Sequence, residues 1–221
     1  MDAAIPAQPP IVGAGHVALR ALIDAGFSSG RIEQVLSCYD EPQRHYHRRE
    51  HLREMLDLSE QLCLPLSPAQ ALALLYHDAV YVPGAARGSN ELLSAQLLRV
   101  QGSGLAPGLV EMACSIIVDT AEHLASSEPA RLVVDLDLIR LGGSAQQFDF
   151  FSRQVFAEQR ALFDDTDEAV AWQRFQQRRM PFFRRLLDRD RIFAIAPMRS
   201  RFEDAARANL RQALYSAGVA R

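Results

Sequence analysis

The chain has 221 residues, of which 48% are hydrophobic and 23% charged, with a formal net charge of -3. A chain of this length buries roughly 70% of its unfolded surface unaided, and so apolar a composition with so little net charge excludes intrinsic disorder. All 24 basic residues are arginine, set against 27 acidic ones, so no net positive field marks the chain for nucleic acid or an anionic membrane.

Residues 1–12, with Pro6, Pro9 and Pro10, are expected to form a loose arm. They lack the basic start and apolar core of a signal peptide. Beyond them the apolar spacing is helical, and one domain over 13–221 is expected. Leu52, Met55, Leu56 and Leu62 mark a helix over 47–62. Ser67-Pro68-Ala69-Gln70 opens the next with a capping residue, a proline suited to the first turn and a capping box. That helix is predicted to run through Tyr81 and to stop before Pro83-Gly84. Asn90 is the expected cap of a helix ending near Gly102, and another spans 109–123. Residues 131–141 are short and very apolar, and Val133-Val134 is the one place where a strand fits. Helices over about 144–163, 167–190 and 201–217 follow. No alternating strand pattern, hairpin turn, repeat or long linker interrupts them, so the expected fold class is all-α, a single-domain helical bundle. Cys38, Cys63 and Cys114 are odd in number and form no CxxC pair, which points to reduced thiols and a cytoplasmic location. No apolar run approaches the ~20 residues of a membrane span.

Three groups of polar residues break the apolar helices. His77 and Asp78 interrupt LALLYHDAV, and a buried carboxylate is costly unless it is paired or bound to a cation. Asp135 and Asp137 interrupt RLVVDLDLIRLGG. Two helical positions i and i+2 point roughly 200° apart, so one of the two should face the core while the other is free for solvent. His47 and His51 lie in RHYHRREH, four apart, so that a helix would place both on one face. In chain order the groups offer imidazole, imidazole with carboxylate, and carboxylate. That donor set suits a divalent cation such as manganese, iron, cobalt, nickel, zinc or magnesium, which only a folded bundle can bring its ligands to.

The order His51, His77-Asp78, Asp135, all on helices, resembles the signature of the HD-domain metal-dependent phosphohydrolases. A bacterial subgroup of predicted HD-superfamily hydrolases is similar to this chain in RHYHRREHLREML, LLYHDAVYVPG, NELLSA, the Thr-x-x-His of Thr120 to His123, VVDLDLIRLGG and FEDAARANL. The residue before Asn90 is often Asp in that subgroup and is Ser89 here. The resemblance implies an all-helical bundle holding a divalent metal through His51, His77, Asp78 and Asp135. It takes the first Asp of the Asp-x-Asp pair as the ligand, where spacing alone leaves Asp137 open. It further implies His47 and His123 as additional ligands or substrate contacts, and hydrolysis of a small phosphorylated, nucleotide-like substrate by metal-activated water. Asp78 would bridge two metals or orient the water, and Glu91 is the candidate for positioning water or supporting a histidine. Arg44 and Arg48 flank the histidines as candidates for bidentate phosphate binding. A homo-oligomer is compatible with this reading.

Other readings attach to the same residues. A non-catalytic module, sensing or interacting through the same metal and ligand pocket, has the same signature, since function lives in the site and not the fold. His47-Arg48-Arg49-Glu50-His51 matches the inverted zinc-protease motif HxxEH, but leaves His77, Asp78 and Asp135 without a role. Trp172 to Arg191 holds seven arginines among aromatics, a composition suited to single-stranded nucleic acid. Its spacing fits an ordinary amphipathic helix better, with Phe175, Phe182, Phe183 and Leu186 inward and the arginines outward.

Overall fold

The protein is described by a computed structural model over residues 16–218; the expected arm at 1–12 lies outside the described residues. Among those residues the chain forms ten α-helices and no strand, which is the all-α class. The helices are α1 (Val17–Asp24), α2 (Ser29–Cys38), α3 (Arg49–Gln61), α4 (Pro68–Tyr76), α5 (Ser89–Gln101), α6 (Pro107–Thr120), α7 (Ala130–Asp137), α8 (Ala145–Gln159), α9 (Glu168–Leu187) and α10 (Ala196–Ser216). Two 3-10 turns, Ile139–Gly142 and Arg160–Leu162, extend α7 and α8.

The core explains this arrangement. Helix α4 is buried on every side, with Ala71, Leu72, Ala73, Leu74, Leu75 and Tyr76 each at most 1% exposed. It packs against α1, α2, α6 and α7 and so forms the axis of the bundle. Ser67 starts it as expected: its hydroxyl accepts the Gln70 N–H while Gln70 Oε1 accepts the Ser67 N–H. The helix ends at Tyr76, sooner than its apolar run suggests, where tertiary donors take the Leu75 carbonyl and those of the turn that follows. The Tyr39 hydroxyl donates to Leu75 O at 3.0 Å, and Arg44 donates to Asp78 O at 2.6 Å and Ala79 O at 3.0 Å. His77 and Asp78 therefore sit at a helix terminus, not in mid-helix.

Three further boundaries and one element type depart from expectation. His47 precedes α3, whose N-cap is Arg48, so the two histidines of HxxxH do not stack along one helix. Gly88, at φ 78°, caps α5, and Asn90 is diverted to hold Val82 through its N–H and its carbonyl. Val133 and Val134 are helical and buried, because packing against α4 and α6 overrides their strand propensity. Helix α10 begins earlier than expected, at Ala196 with Pro197 in its first turn. Near it Gly142 passes so close to Phe202 that an added Cβ would lie 2.6 Å from the Phe202 Cβ, which fixes the 3-10 turn onto α10. The three cysteines are free thiols. No helix among the described residues is long and apolar enough to cross a membrane.

Candidate metal centre

The start of α3, the C-terminal ends of α4 and α7, and the turn after α6 meet at one place. Helix α3 contributes His51 and the end of α4 contributes His77, both essentially buried, at 0% and 1% exposed. Asp78 follows His77, and Asp137 is the last residue of α7; their side chains are 13% and 11% exposed. His123 closes the turn after α6 in a left-handed conformation, φ 47°, uncommon for a non-glycine residue.

One ligand atom from each of His51, His77, Asp78 and Asp137 lies within 4.8 Å of all the others. His51 Nε2 is 3.2 Å and His77 Nε2 is 3.6 Å from Asp137 Oδ1, while His77 Nε2 is 3.0 Å from Asp78 Oδ2. Donors held about 2.0–2.2 Å from a common cation fall at such separations. His77 shows why a cation suits this place. Its Nδ1–H donates to Leu74 O at 2.7 Å, so in the neutral ring Nε2 carries a lone pair. That nitrogen is buried without a hydrogen-bond partner and faces two carboxylate oxygens. An acceptor opposed to two anions needs a cation or a proton between them. The Leu74 carbonyl is also the usual outer support of a metal-binding imidazole. His51 lacks that support, since its Nδ1 is buried with no partner.

The electrostatics agree. Burial lowers His77, but Asp78 and Asp137 outweigh it and push the imidazole up to about 10. Burial lowers His51 to about 4, so it stays neutral and able to ligate. For Asp137, burial is opposed by hydrogen bonds from His123 and His51, which hold the carboxyl well below its usual range. Asp78 is likewise held down against its burial by His77 and His47.

The resemblance and the structure differ at the second aspartate, and Asp137, not Asp135, joins the cluster. Asp135 is 1% exposed and turns to the opposite side of α7. There its two oxygens accept the N–H groups of Ala194 at 2.9 Å and Ile195 at 2.7 Å, just ahead of α10. Burial raises it to about 6. The i, i+2 geometry sends the two to opposite sides of α7, but neither is left to solvent as expected: Asp135 goes to a structural partner and Asp137, its side chain 11% exposed, to the site.

His47 and His123 flank the cluster. His123 Nε2 is 3.2 Å from Asp137 Oδ2 and His47 Nε2 is 4.0 Å from Asp78 Oδ2. His47 is gripped from behind by Glu158 of α8, a residue that nothing in its local sequence marks. Glu158 Oε1 accepts the N–H groups of His45, Tyr46 and His47 at 2.8, 2.7 and 2.9 Å, and Oε2 accepts His47 Nδ1–H at 2.7 Å. The Tyr46 and Tyr81 rings pack on His47 at centroid distances of 4.8 and 4.0 Å. Glu91, in the first turn of α5, is half-buried, and burial raises its carboxyl, with Asp78 and Asp137 adding to the rise.

Arg44 is not a phosphate ligand in this arrangement. It is buried, and its guanidinium is used up by Glu41, by the carbonyls of Asp78 and Ala79 and, at 3.3 Å, by that of His47. It ties the His47 loop to the end of α4. Arg48 is half-exposed and lies 3.7 Å from Glu50. Glu50 is thus turned to a surface arginine and stands outside the cluster, so the inverted zinc-protease motif lacks its base. In α9, Phe175, Phe183 and Leu186 are buried as the amphipathic spacing expects, while Phe182 is half-buried. Comparison with protein-family models, curated proteins and solved structures finds nothing that matches this chain.

Proposed function

We propose that the chain is a metal-dependent phosphohydrolase of the HD type that cleaves a phosphoester or phosphoanhydride bond in a small, nucleotide-like substrate. The carrying observation is the convergence of His51, His77, Asp78 and Asp137, with the unpartnered His77 Nε2 aimed at two carboxylates. Support also comes from the ordered motifs, with Asp137 in the place the resemblance gives to Asp135. These four residues would hold the cation. A divalent ion there supplies Lewis acidity, making water a nucleophile near neutral pH and polarising a phosphoryl oxygen.

The remaining steps belong to the chain. Glu158 holds His47 through Nδ1, Nε2 lies 4.0 Å from Asp78 Oδ2, and against its burial Asp78 and Glu158 raise the imidazole, making it a stronger base. In this mechanism His47 would accept a proton from the attacking water and return it to the leaving oxygen. His123, hydrogen-bonded to Asp137, orients that carboxylate or contacts substrate. Glu91 stands at the same side to position water. A cytoplasmic location belongs to the same reading and rests on the three free thiols.

The test is metal analysis of the purified protein, followed by a panel of phosphomonoesters, phosphodiesters and nucleotides with added manganese. Metal content and turnover should both collapse in Asp137→Asn. Wild-type metal content and turnover in that variant would refute the centre. Bound metal in the wild type without hydrolysis of any substrate would replace the enzyme by the non-catalytic sensor.

A further inference from the structure

The arginines of α9 face solvent with one exception. Arg174, Arg178, Arg184 and Arg185 are exposed, whereas Arg179 turns into the fold between α8 and α9. Its Nη1 donates to Ser152 Oγ at 3.1 Å, and its guanidinium lies over the rings of Phe183 and Phe175, 4.7 and 5.2 Å from their centroids. Among the described residues no carboxylate comes within 4.0 Å of it. Its ionisable neighbours are the Tyr46 and Tyr81 phenols, and burial pushes both above the ordinary tyrosine range, Tyr46 to about 12, so they stay neutral. Arg179 is half-buried; a guanidinium partly withdrawn from water without an anion is a costly arrangement, and burial lowers it to about 10.

The same arginine borders a cavity of about 140 Å³ between α8, α9 and α10. Phe148, Trp172, Phe175 and Phe183 wall it, with Gln176 and Gln212 among its polar groups. Asp149 also borders it, but that side chain is 66% exposed and lies 4.0 Å from Arg153, so it is turned to another cation. The volume is close to the roughly 150 Å³ that accommodates a benzene ring in an apolar protein cavity. None of the four cluster residues lines this space.

We propose that this cavity is a second binding site, for a small monocarboxylate with an apolar body the size of one ring. The carboxylate would pair with the Arg179 guanidinium beside the Ser152 hydroxyl, and the ring would lie against Phe148, Trp172 and Phe175. One cation in aromatic surroundings matches one negative charge; a phosphate dianion would enter with charge left uncompensated. The planar fork of arginine also matches the two oxygens of a carboxylate.

Trp172 is the only tryptophan in the chain, so its fluorescence reports directly on this cavity. Titration of the full chain with cyclohexanecarboxylate, which is optically silent, should give a saturable change in Trp172 emission. The neutral cyclohexanecarboxamide and inorganic phosphate should each bind roughly tenfold more weakly or worse, the scale of a charge-assisted pair. Arg179→Gln should bring the carboxylate down to the level of the amide. Binding should persist after chelation of metal, so that failure of the metal centre and failure of this site are read separately. No saturable response up to about 10 mM ligand, a free energy near that of very weak contact, would overturn the proposal. So would equal binding of acid and amide, which would make the cavity merely apolar, or equal binding of phosphate. Loss of binding on chelation would overturn the independence of the two sites. Should Arg179→Gln fail to fold, the comparison of acid with amide in the wild type still decides, and Ser152→Ala should weaken the acid several-fold.

Discussion

Glu158 carries the loop that presents His47, and Glu158→Gln measures how much. Its carboxylate is buried, 5% exposed, and accepts three successive backbone N–H groups as well as the His47 ring. Burial alone would raise the carboxyl, but His47 and those N–H groups bring it down to about 2 from an ordinary 4.5. In free energy that is about 3 kcal/mol in favour of the charged, folded form. Glutamine keeps one acceptor oxygen for the N–H groups, but it sets an NH2 donor against His47 Nδ1–H and removes the charge. The variant should lose about 2–3 kcal/mol at pH 7, or about 4–12 °C in melting temperature for a chain of this size. The sign of the pH dependence follows from the lowered carboxyl. Its stabilisation is complete above 4.5 and is lost as pH falls toward about 2, so the gap between variant and wild type should narrow over that range. Urea denaturation at pH 7 and pH 4 reads both effects. A variant within about 0.5 kcal/mol of wild type at pH 7, the scatter of an ordinary surface change, would refute the reasoning, as would a gap that does not narrow.

Other substitutions separate structural from functional charges. Asp137→Asn should abolish metal retention in elemental analysis, whereas Asp135→Asn should keep the metal and lose about 1–3 kcal/mol by leaving an N–H of Ala194 or Ile195 unpaired; the reverse pattern would restore Asp135 as the ligand. Arg44→Met strands the carbonyls of Asp78 and Ala79 and should cost about 3 kcal/mol or more, read as a lower urea midpoint; a variant of wild-type stability that had lost affinity for phosphate would return Arg44 to the substrate. In metal-free protein His77 is raised to about 10 from 6.5, so its contribution to stability is full below 6.5 and is lost as pH rises through about 10. A cation in place of that proton removes this loss, so urea midpoints with chelator should fall across that range while those with manganese stay level; parallel profiles would count against a cation at His77.

What the sequence discloses depends on how far away a side chain finds its partner. The helical class and the Ser67 capping box are local, set by 3.6-residue periodicity and by groups three positions apart, and both were legible. His51, His77 and Asp78 were legible because imidazoles and a carboxylate are anomalous in apolar helices and need a common explanation. Asp135 and Asp137 are equally anomalous, and nothing local tells them apart; the choice is made by the N–H groups of Ala194 and Ile195, about sixty residues away, which claim Asp135. Glu158 sits in an ordinary polar stretch, and its role appears only when it meets the His45–His47 backbone across 111 to 113 residues. Two inward-turned arginines, Arg44 buried and Arg179 half-buried, make the same argument from opposite outcomes. Arg44 lies in a charged run that suggests a phosphate ligand and Arg179 in one that suggests an outward-facing stripe, and both turn inward. Arg44 meets two carbonyls of the α4 terminus and the Glu41 carboxylate, so its donors are consumed and its role is to hold the His47 loop in place. Arg179 meets a hydroxyl and two ring faces, which leaves its charge unanswered beside a cavity. The difference between a staple and a binding group lies in the neighbours that the fold supplies, not in the arginine.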